Sequence, residues 1–456
     1  MESSRSSPAR RELERHVASR TAAAIPRGAA ICAGFSGGLD STVLLDALAR
    51  VAPALGHRLC AVHVHHGLSP NADAWAASCE RQCAALGVPL AIERVHVERA
   101  SGDGLEAAAR SARYAIYARR PEPIVALAHH RDDQAETVLL QLARGTGLKG
   151  LAAMPELRAL PDSRVSIFRP LLALGRPALL AHARDRGLSW IEDESNASPR
   201  HDRNYLRLDV APRLDARFGG WRAGASRLAR HAAAAGELLD ELARIDGAPT
   251  RPGAGLTLLE GLTPERRANA LRAFLAAEGL AMPSESRLAE MSRQLYESRE
   301  DARVRIALPD AMLVRHRGVA RAVSGMDAAA PDAWRVAWRG ETLLELGDGR
   351  GSVRFSPAVG EGLARELASE GDWHFGDRRG GERVRLGPAR PSRTLKNLLR
   401  EAAVPEWDRG RLPLLFRGEA VAWVPGIGVA AEFACPRGAA GILPAWSPDA
   451  QKAAPD

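Results

Sequence analysis

The sequence predicts an α/β domain with a parallel, doubly wound sheet, followed by a helical domain and a small α+β domain. Four short apolar runs recur up to residue 130, and segments with helical character separate them. Strands that alternate with helices of this length are typical of βαβ units and of a parallel sheet. The chain has 456 residues, well beyond a single domain of about 100–200 residues, so we expect two or three domains.

The elements of the first domain follow in chain order. Strands are predicted at the apolar runs AAICAGF (29–35), LCAVHVHH (59–66), PLAIERVHV (89–97) and PIVALAHH (123–130). Helices are predicted over 41–55, 71–87 and 105–120, and one more is expected before the first strand. A fifth run, VSIFRPLL (165–172), is expected to extend the sheet, and residues 176–218 have the pattern of helix and loop.

Two changes in composition mark the later domains. The chain becomes rich in Ala, Leu and Arg from residue 221, and helical patterning continues to residue 300. Residues 322–333 have the composition of a linker, and short strand-like runs with Gly and Pro turns follow, with one helix near 392–403. We therefore place the domains at 1–218, 219–325 and 334–445.

Charge and cysteine content narrow the class of protein. The chain carries 63 Lys+Arg against 55 Asp+Glu, a net charge of +8, which suits polyanionic partners but also an ordinary basic enzyme. Only three of the basic residues are lysines and the rest are arginines. In a chain this rich in Ala and Gly, the bias most simply reflects a GC-rich genome, so the abundance of arginine is weak evidence for RNA binding. The five cysteines form no CxxC pair, which favours reduced thiols and a cytoplasmic location. No apolar run approaches the roughly 18 residues of a membrane span.

The first predicted strand leads into a turn that suits a phosphate ligand. The turn consists of Ser36, Gly37, Gly38, Leu39, Asp40 and Ser41. Glycines let the backbone approach a phosphate without a Cβ clash, and the N–H groups at the start of the next helix form an anion site. Ser36 and Ser41 add hydroxyl donors, whereas Asp40 is better placed to hold Mg²⁺ than to contact phosphate directly. Neither a Walker A loop nor G-x-G-x-x-G occurs here, and the alternative is a turn that only reverses the chain.

A second polar group follows the fourth predicted strand, at the same edge of the sheet. On a helix, Asp132 and Asp133 share a face with Glu136. Clustered carboxylates repel one another unless a cation lies between them, here Mg²⁺ or a substrate ammonium. The alternative is an acidic first turn that complements the helix dipole, with Asp132 as its cap. His129 and His130 lack a third ligand at zinc spacing, so a structural or nucleotide-contacting role is expected.

Both motifs resemble those of known enzymes. SGGLDS resembles the PP-loop of ATP pyrophosphatases, which cleave ATP between the α and β phosphates and transfer AMP to a substrate oxygen. HHRDDQAET (129–137), followed by RGTGLKGL (144–151), resembles the tRNA(Ile)-lysidine synthase family. Further similar segments are HHGLSPNADAW (65–75), GLEAAARSARY (104–114), FRPLL (168–172), residues 378–428, a D-x-S-N element of Asp193, Ser195 and Asn196, and an R-N-x-x-R element of Arg203, Asn204 and Arg207.

The resemblance implies a fold and a reaction. The fold is that of the adenine nucleotide alpha-hydrolase-like enzymes. ATP adenylates the C2 oxygen of the wobble cytidine in an isoleucine tRNA with a CAU anticodon, and pyrophosphate is released. The side-chain amine of free L-lysine then attacks C2 and displaces AMP, which gives lysidine. The implied partners are therefore ATP, Mg²⁺, free L-lysine and this tRNA, and the resemblance also allows a homodimer, because dimers occur among relatives.

The resemblance also implies catalytic roles. The 36–41 turn would cradle pyrophosphate and Asp40 would hold Mg²⁺. Asp133 and Glu136 would hold or deprotonate the lysine ε-amine, whose pKa is about 10.4 in its free form. Arg110 or Arg113 would stabilise phosphate or the adenylated intermediate; the alternative for both is a solvated helix face.

Eight residues are expected to contact substrates: His129, Asp132, Gly145, Gly147, Arg203, Arg207, Arg383 and Lys396. Arg203 and Arg207 either face RNA or pair with the neighbouring Asp202 and Asp209. Arg383 and Lys396 belong to a basic stretch with Trp407 nearby, which suits stacking on an RNA base. The stretch consists of Arg378, Arg379, Arg383, Arg385, Arg390, Arg393 and Lys396. The alternative is a charged surface without that role.

Three other functions stay open on the sequence. A thiolase that puts sulfur on a tRNA base typically needs cysteine pairs, and no CxxC pair occurs here. An amidotransferase-type synthetase would need an ammonia-producing domain, for which no nucleophile motif is found. A catalytically inactive tRNA-binding protein would be expected to lose some of Ser36, Asp40, Asp133 and Glu136, all of which are present.

Overall fold

The computed structural model of this chain divides into two compact units, Met1–Leu239 and Asp240–Asp456. It describes residues 8–97, 105–192, 202–299, 302, 304–323, 334–347, 350–368, 371–404, 406–410 and 412–448. The D-x-S-N element (Asp193, Ser195, Asn196), most of the predicted linker and the side chain of Trp407 lie outside the described part. The three predicted domain boundaries stay a prediction.

The first unit is built on a six-stranded sheet with the order β3-β2-β1-β4-β6-β5. Its strands are β1 Ile31–Gly34, β2 Leu59–His65, β3 Leu90–Arg94, β4 Ile124–Ala126, β5 Leu157–Ala159 and β6 Ser166–Phe168. All neighbours pair in parallel except β5, which runs antiparallel to β6 at the edge. The predicted parallel sheet is confirmed, and the fifth apolar run does extend it as β6.

Helices connect and flank these strands. They are α1 Pro8–Ala24, α2 Leu39–Ala54, α3 Ala72–Leu86, α4 Leu105–Ala118, α5 Arg131–Ala143, α6 Leu148–Leu151, α7 Arg176–Asp185, α8 Asp202–Tyr205, α9 Ala211–Arg217 and α10 Trp221–Ile245. A π-helical turn, Leu206–Val210, joins α8 to α9. The three helices predicted between strands occur within two residues of their expected ends, and the helix expected before the first strand is α1. None of the described helices is long and apolar enough to span a membrane.

The strand order brings two loops to one crevice. β1 pairs with β2 on one side and with β4 on the other, through Ile31↔Leu59 and Ile31↔Ile124. The chain therefore winds outward from β1 in both directions, and the carboxyl ends of β1 and β4 lie side by side. In open α/β sheets, ligands bind at such a switch point.

The phosphate-turn helix α2 is anchored from behind by a buried carboxylate. Asp46, only 1% exposed, accepts hydrogen bonds from His182 Nε2 at 3.0 Å and from Arg186 Nε and Nη2 at 3.1 and 2.9 Å. Arg50 Nη2 adds a fourth contact at 3.3 Å. Because His182 and Arg186 belong to α7 or its end, this network ties α7 to α2.

The second unit contains four smaller sheets. Their strands are β7 Leu256–Thr257, β8 Arg305–Ala307, β9 Met312–His316, β10 Val319–Val323, β11 Arg335–Ala337, β12 Leu343–Glu345, β13 Ser352–Val359, β14 Leu363–Ala364, β15 Trp373–Gly376, β16 Arg383–Val384, β17 Arg393–Thr394, β18 Leu414–Arg417, β19 Ala420–Val424, β20 Gly428–Val429 and β21 Ala440–Ser447. The orders are β7-β10-β9-β8, β11-β15-β18-β19-β20, β12-β13-β21-β14 and β16-β17. The helices are α11 Pro264–Ala277, α12 Glu285–Glu297, α13 Arg365–Ala368, α14 Leu395–Glu401 and α15 Glu406–Arg409.

The middle of the chain differs in one respect from the expectation. Residues 219–325 are helical in α10, α11 and α12, but they also contain the four-stranded antiparallel sheet β7–β10. Its strands are two to five residues long and carry several arginines, so neither an apolar run nor a clear alternation marks them in the sequence. The helices and this sheet share one core, in which Leu271, Phe274, Met291 and Leu313 are fully buried.

We predict that Asp46→Asn lowers the free energy of unfolding by about 3 kcal/mol, because it removes the countercharge of the partly buried Arg186 guanidinium and weakens the buried hydrogen bond to His182. Urea unfolding followed by circular dichroism measures this. Glu80→Gln, at an exposed position of α3, is the matched control. A loss no larger than that of the control would show that the network does not stabilise the fold.

Candidate active site

The 36–41 turn is held open by its own serines. Ser36 Oγ and Ser41 Oγ lie 3.0 Å apart, and Ser41 Oγ donates to Gly38 O at 3.0 Å. Gly38 is the N-cap of α2 and has no side chain to satisfy the first N–H groups of the helix. Those donors and the positive end of the helix dipole therefore face the crevice, as expected for an anion site.

Gly37 is required by both conformation and space. Its φ is +82°, and a Cβ there would lie 2.5 Å from Ile191 Cδ1 and 3.0 Å from Cys79 Sγ. Ile191 N also donates to Gly37 O at 2.9 Å. The turn is thus packed from below by α3 and from the side by residues that follow α7, which fixes its shape.

Asp40 has an oxygen available for a cation. Its side chain is 36% exposed, and its Oδ2 lies 3.5 Å from His130 Nε2. Oδ1 has no hydrogen-bond partner among the described residues, although it is shielded from solvent. A partly exposed carboxylate with an unused oxygen, beside an anion-binding turn, fits the expected Mg²⁺ ligand.

Helix α5 begins with an uncommon cap. His130 is the N-cap: its Nδ1 accepts from Asp132 N at 3.2 Å, and Asp133 Oδ2 accepts from His130 N at 2.9 Å. The alternative in which Asp132 caps the helix is therefore wrong. Since Nδ1 is an acceptor, the proton sits on Nε2, which lies 3.5 Å from both Asp40 Oδ2 and Asp133 Oδ2. Burial disfavours a charge on His130, but Asp40 and Asp133 outweigh it and raise the pKa of His130.

The cations beside Asp133 and Glu136 come from the protein itself. Arg207 Nε and Nη2 donate to the two oxygens of Glu136 at 2.8 and 2.9 Å, and Arg207 Nη2 reaches Asp133 Oδ1 at 3.3 Å. Arg203 Nε donates to Glu136 Oε2 at 3.1 Å. The sequence did not indicate this pairing with Glu136, and an RNA contact of either arginine stays a prediction.

These contacts set the charges of the cluster. Burial disfavours the ionised form of Asp133, but the positive field of His130 and Arg203 outweighs it, and the pKa of Asp133 is lowered. Burial also opposes the charge on Arg207, yet Glu136 more than compensates and the pKa of Arg207 is raised. The cluster therefore brings the carboxyl groups of Asp133 and Glu136 together with two guanidinium groups. Glu136, with both oxygens occupied, is not the free carboxylate that the sequence suggested.

Arg169, in the FRPLL segment, is a site residue that the sequence pattern did not indicate. Arg169 is 1% exposed and donates to His129 Nδ1 at 3.2 Å, to Pro155 O at 2.8 Å and to Tyr114 Oη at 3.4 Å. None of these acceptors is a carboxylate. Burial lowers the pKa of His129 to about 3, and Asp133 offsets this only in part, so His129 is neutral with its proton on Nε2. The available signal was an arginine inside an apolar run at the carboxyl end of β6.

Arg110 and Arg113 lie on α4 in different settings. Arg110 is exposed, stacks over the Tyr114 ring at 4.9 Å and donates to Tyr114 Oη at 3.3 Å. It therefore connects to Arg169 through one shared hydroxyl. Arg113 is half-buried, and its Nε has no hydrogen-bond partner among the described residues. Arg113 is also close enough to His66 to lower the pKa of that histidine, which burial already lowers, to about 4.

The other expected substrate residues lie apart from this cluster. Asp132 turns away from Asp133: its Oδ2 accepts from Arg176 N at 3.2 Å, and its Oδ1 lies 3.6 Å from Arg222 Nε. Gly145 and Gly147 follow the far end of α5, a helix of 13 residues and thus about 20 Å long. Their expected role stays a prediction.

Arg383 and Lys396 belong to the second unit. Arg383, exposed in β16, donates to Ser392 O at 2.7 Å, and Lys396 is exposed on α14. Part of the basic stretch around them is ion-paired, through Arg378–Glu382, Arg379–Glu419 and Arg393–Glu401. An RNA-binding role for the stretch stays a prediction.

Three family models match the chain. A PP-loop domain matches residues 9–214, a TilS substrate binding domain matches 256–320, and a TilS substrate C-terminal domain matches 374–446. The first covers the whole crevice described above, and the other two cover parts of the second unit.

Curated relatives match over nearly the full length. The tRNA(Ile)-lysidine synthase of Azoarcus sp. (strain BH72) is 44% identical over 428 residues, 94% of each chain. That of Nitrosomonas europaea is 38% identical over 424 residues, 92% of each chain. Among solved structures, the U34-tRNA thiolase NcsA from Methanococcus maripaludis aligns at 20% identity and a TM-score of 0.41, covering 48% of this chain and 78% of that one.

We predict that His129 makes the fold sensitive to acid. Its pKa in the folded chain, about 3, is below the usual value near 6.5, so between these values the unfolded chain binds a proton that the folded chain does not. The resulting loss of unfolding free energy is absent above about pH 6.5. It grows as the pH falls, by up to about 1.4 kcal/mol per pH unit. His129→Gln keeps an acceptor for Arg169 and should lose less stability than the wild type between pH 6.5 and 4.

Urea unfolding across this pH range measures the difference, and His96→Gln, at an exposed histidine, controls for the loss of an imidazole. Parallel curves for wild type and His129→Gln would show that His129 is protonated in the folded chain.

Proposed function

This chain belongs to the tRNA(Ile)-lysidine synthase family, and we propose that it ligates free L-lysine to C2 of the wobble cytidine in an isoleucine tRNA with a CAU anticodon. It is a ligase with an ATP-binding PP-loop domain. In the first step the cytidine C2 oxygen attacks the α-phosphate of ATP, and pyrophosphate leaves. In the second, the lysine ε-amine attacks C2, the new C–N bond forms and AMP departs with the C2 oxygen.

One observation supports this function above the others: an anion-binding turn and a mixed-charge cluster meet at one crevice. The Asp40 and Asp133 carboxylates approach the same His130 nitrogen at 3.5 Å each. The reaction needs ATP phosphates, a cationic amine and a nucleobase in contact. A crevice with both signs of charge can bind phosphate and ammonium side by side.

We assign pyrophosphate to the 36–41 turn. The uncapped N–H groups of α2 are donors at the crevice, and the hydroxyls of Ser36 and Ser41, which bond to each other and to Gly38 O, fix the shape of the turn. Asp40, whose Oδ1 is unused, would hold Mg²⁺, which when bound neutralises part of the phosphate charge.

We assign the lysine ε-ammonium to Asp133. Its lowered pKa keeps it ionised, which favours ion pairing with an ammonium but makes it a weak proton acceptor. Of the two roles expected for this residue, holding the amine is thus better supported than deprotonating it.

We assign Arg203 and Arg207 to the negative charge of the reacting phosphate. Glu136 orients the two guanidinium groups through three hydrogen bonds. They therefore do not have to be reordered when the substrates bind. On this assignment Glu136 is a positioning residue rather than a base.

We predict that the wild-type protein transfers labelled lysine to isoleucine tRNA transcript with a CAU anticodon, in the presence of ATP and Mg²⁺, and not to methionine tRNA. Asp133→Asn, which removes the anchoring charge, should reduce transfer by about 100-fold or more. Asp162→Asn, at an exposed turn in the same unit, is the matched control.

The outcomes separate the alternatives. Pyrophosphate release that depends on tRNA, without lysine transfer, would preserve the adenylation step and refute lysine as the nucleophile. Neither signal from folded protein would refute the enzyme and favour a tRNA-binding protein without activity.

We further predict that Arg207→Lys lowers the single-turnover rate of lysine transfer by about 100-fold while leaving the Kd for tRNA unchanged. The ammonium group of a lysine at this position cannot form the bidentate contact with Glu136 and also reach Asp133. Arg213→Lys, at an exposed position of α9, is the control. Weaker tRNA binding with an unchanged rate would instead show that Arg207 acts as an RNA contact.

A further inference from the structure

A cavity of about 480 Å³ lies at the N-terminus of α5, where Arg131 and Asp132, but not Asp133, line it. Three arginines line it, Arg131, Arg176 and Arg222, together with Trp221 and the carboxylates of Asp132 and Asp215. Its volume is within the range of small-ligand sites, about 300–1,000 Å³. None of the assigned steps uses it.

The carboxylates of the cavity are already satisfied. Asp132 accepts from Arg176 N and lies 3.6 Å from Arg222 Nε, and Asp215 accepts from Trp221 Nε1 at 2.8 Å and pairs with Arg222. Arg131 Nε, by contrast, is shielded from solvent and has no hydrogen-bond partner among the described residues. The side chain of Arg176 is exposed. The uncompensated charge of the cavity is thus positive, which favours an anion and disfavours an ammonium.

Aromatic rings accompany the arginines. Trp221 is half-buried in the cavity wall, and Arg222 lies 4.8 Å from the centroid of its ring. The nearby Phe218 is 58% exposed, with Arg217 at 5.9 Å from its ring. Planar surfaces interleaved with guanidinium groups are typical of sites for single-stranded nucleic acid, where bases stack and phosphates pair with arginine.

We propose that this cavity binds a nucleotide of the tRNA anticodon loop next to the cytidine that is modified. The nucleotide places its phosphate between Arg131 and Arg176 and its base against Trp221. Asp132 and Asp133 are consecutive residues that face the cavity and the catalytic cluster respectively, so two neighbouring nucleotides can occupy the two sites. This assignment rests on the proposed function, because it takes the tRNA as substrate.

The test measures tRNA binding separately from catalysis. The Kd of isoleucine tRNA transcript with a CAU anticodon is determined by filter retention over a range of salt concentrations, and KM values for tRNA and ATP come from lysine transfer. Arg176→Ala should raise Kd and KM for tRNA by about tenfold and reduce the slope of log K against log salt by about 0.7, the value for one phosphate contact with a single strand. Arg227→Ala, at an exposed position of α10 outside the cavity, is the matched control and should change neither.

A second pair of variants tests stacking. Trp221→Ala should raise the Kd for tRNA roughly tenfold, whereas Trp221→Phe, which keeps a ring, should recover most of the affinity. An unchanged Kd and an unchanged salt slope in Arg176→Ala would refute the proposal. A higher KM for ATP without a higher KM for tRNA would also refute it, because the cavity would then belong to the ATP site. If the variants change the Kd for tRNA and the salt slope as predicted but the wild-type protein transfers no lysine, the proposed reaction is refuted and the cavity assignment stands.

Discussion

The hydrogen bonds between β1 and β4 bring together two loops that are far apart in the chain. β1 and β4 are parallel neighbours, so their carboxyl ends lie side by side. A short turn joins each strand to the helix that follows, and the N-termini of α2 and α5 therefore open onto one crevice. The 36–41 turn comes from the first, and His130 and Asp133 come from the second. Without this pairing the anion site and the acidic helix would be separate surfaces, so the chemistry of the site depends on the order of the strands.

Charge compensation explains how the crevice is stable without its substrates. Carboxylates this close would repel one another, and one of them would be protonated, if no cation lay between them. Arg207 lies there and holds Glu136 through two parallel hydrogen bonds. Arg169 is a buried cation whose hydrogen-bond acceptors carry no charge. Burial lowers the pKa of His129, and the positive charge of Arg169 lowers it further. The site therefore holds fixed charges of both signs before any ligand binds, as preorganised electrostatic catalysis requires.

The fold was predictable where burial leaves a continuous apolar run or a helical period. The inner parallel strands β1, β4 and β6 are largely buried, so their segments are almost uniformly apolar, and the segments between the strands have the length and pattern of helices. The strands β7–β10 are short, antiparallel and partly exposed. An arginine interrupts the apolar residues in segments such as Arg305–Ala307 and Val319–Val323, which therefore differ little from helix or loop in composition. The antiparallel edge strand β5 was missed for the same reason.

The sequence by itself determined the glycine turn at 36–41, the acidic first turn of α5 and the class of the fold, because each depends on residues within a few positions of one another. Tertiary structure alone decided what those residues touch. Glu136 and Arg207 are 71 positions apart and His129 and Arg169 are 40 apart, so no local spacing could indicate that they pair. The separation of Asp132 from Asp133 also depends on which elements pack against α5. Long-range contacts form only when the strand order is fixed, since the cost of closing each loop is offset by burial of the whole sheet.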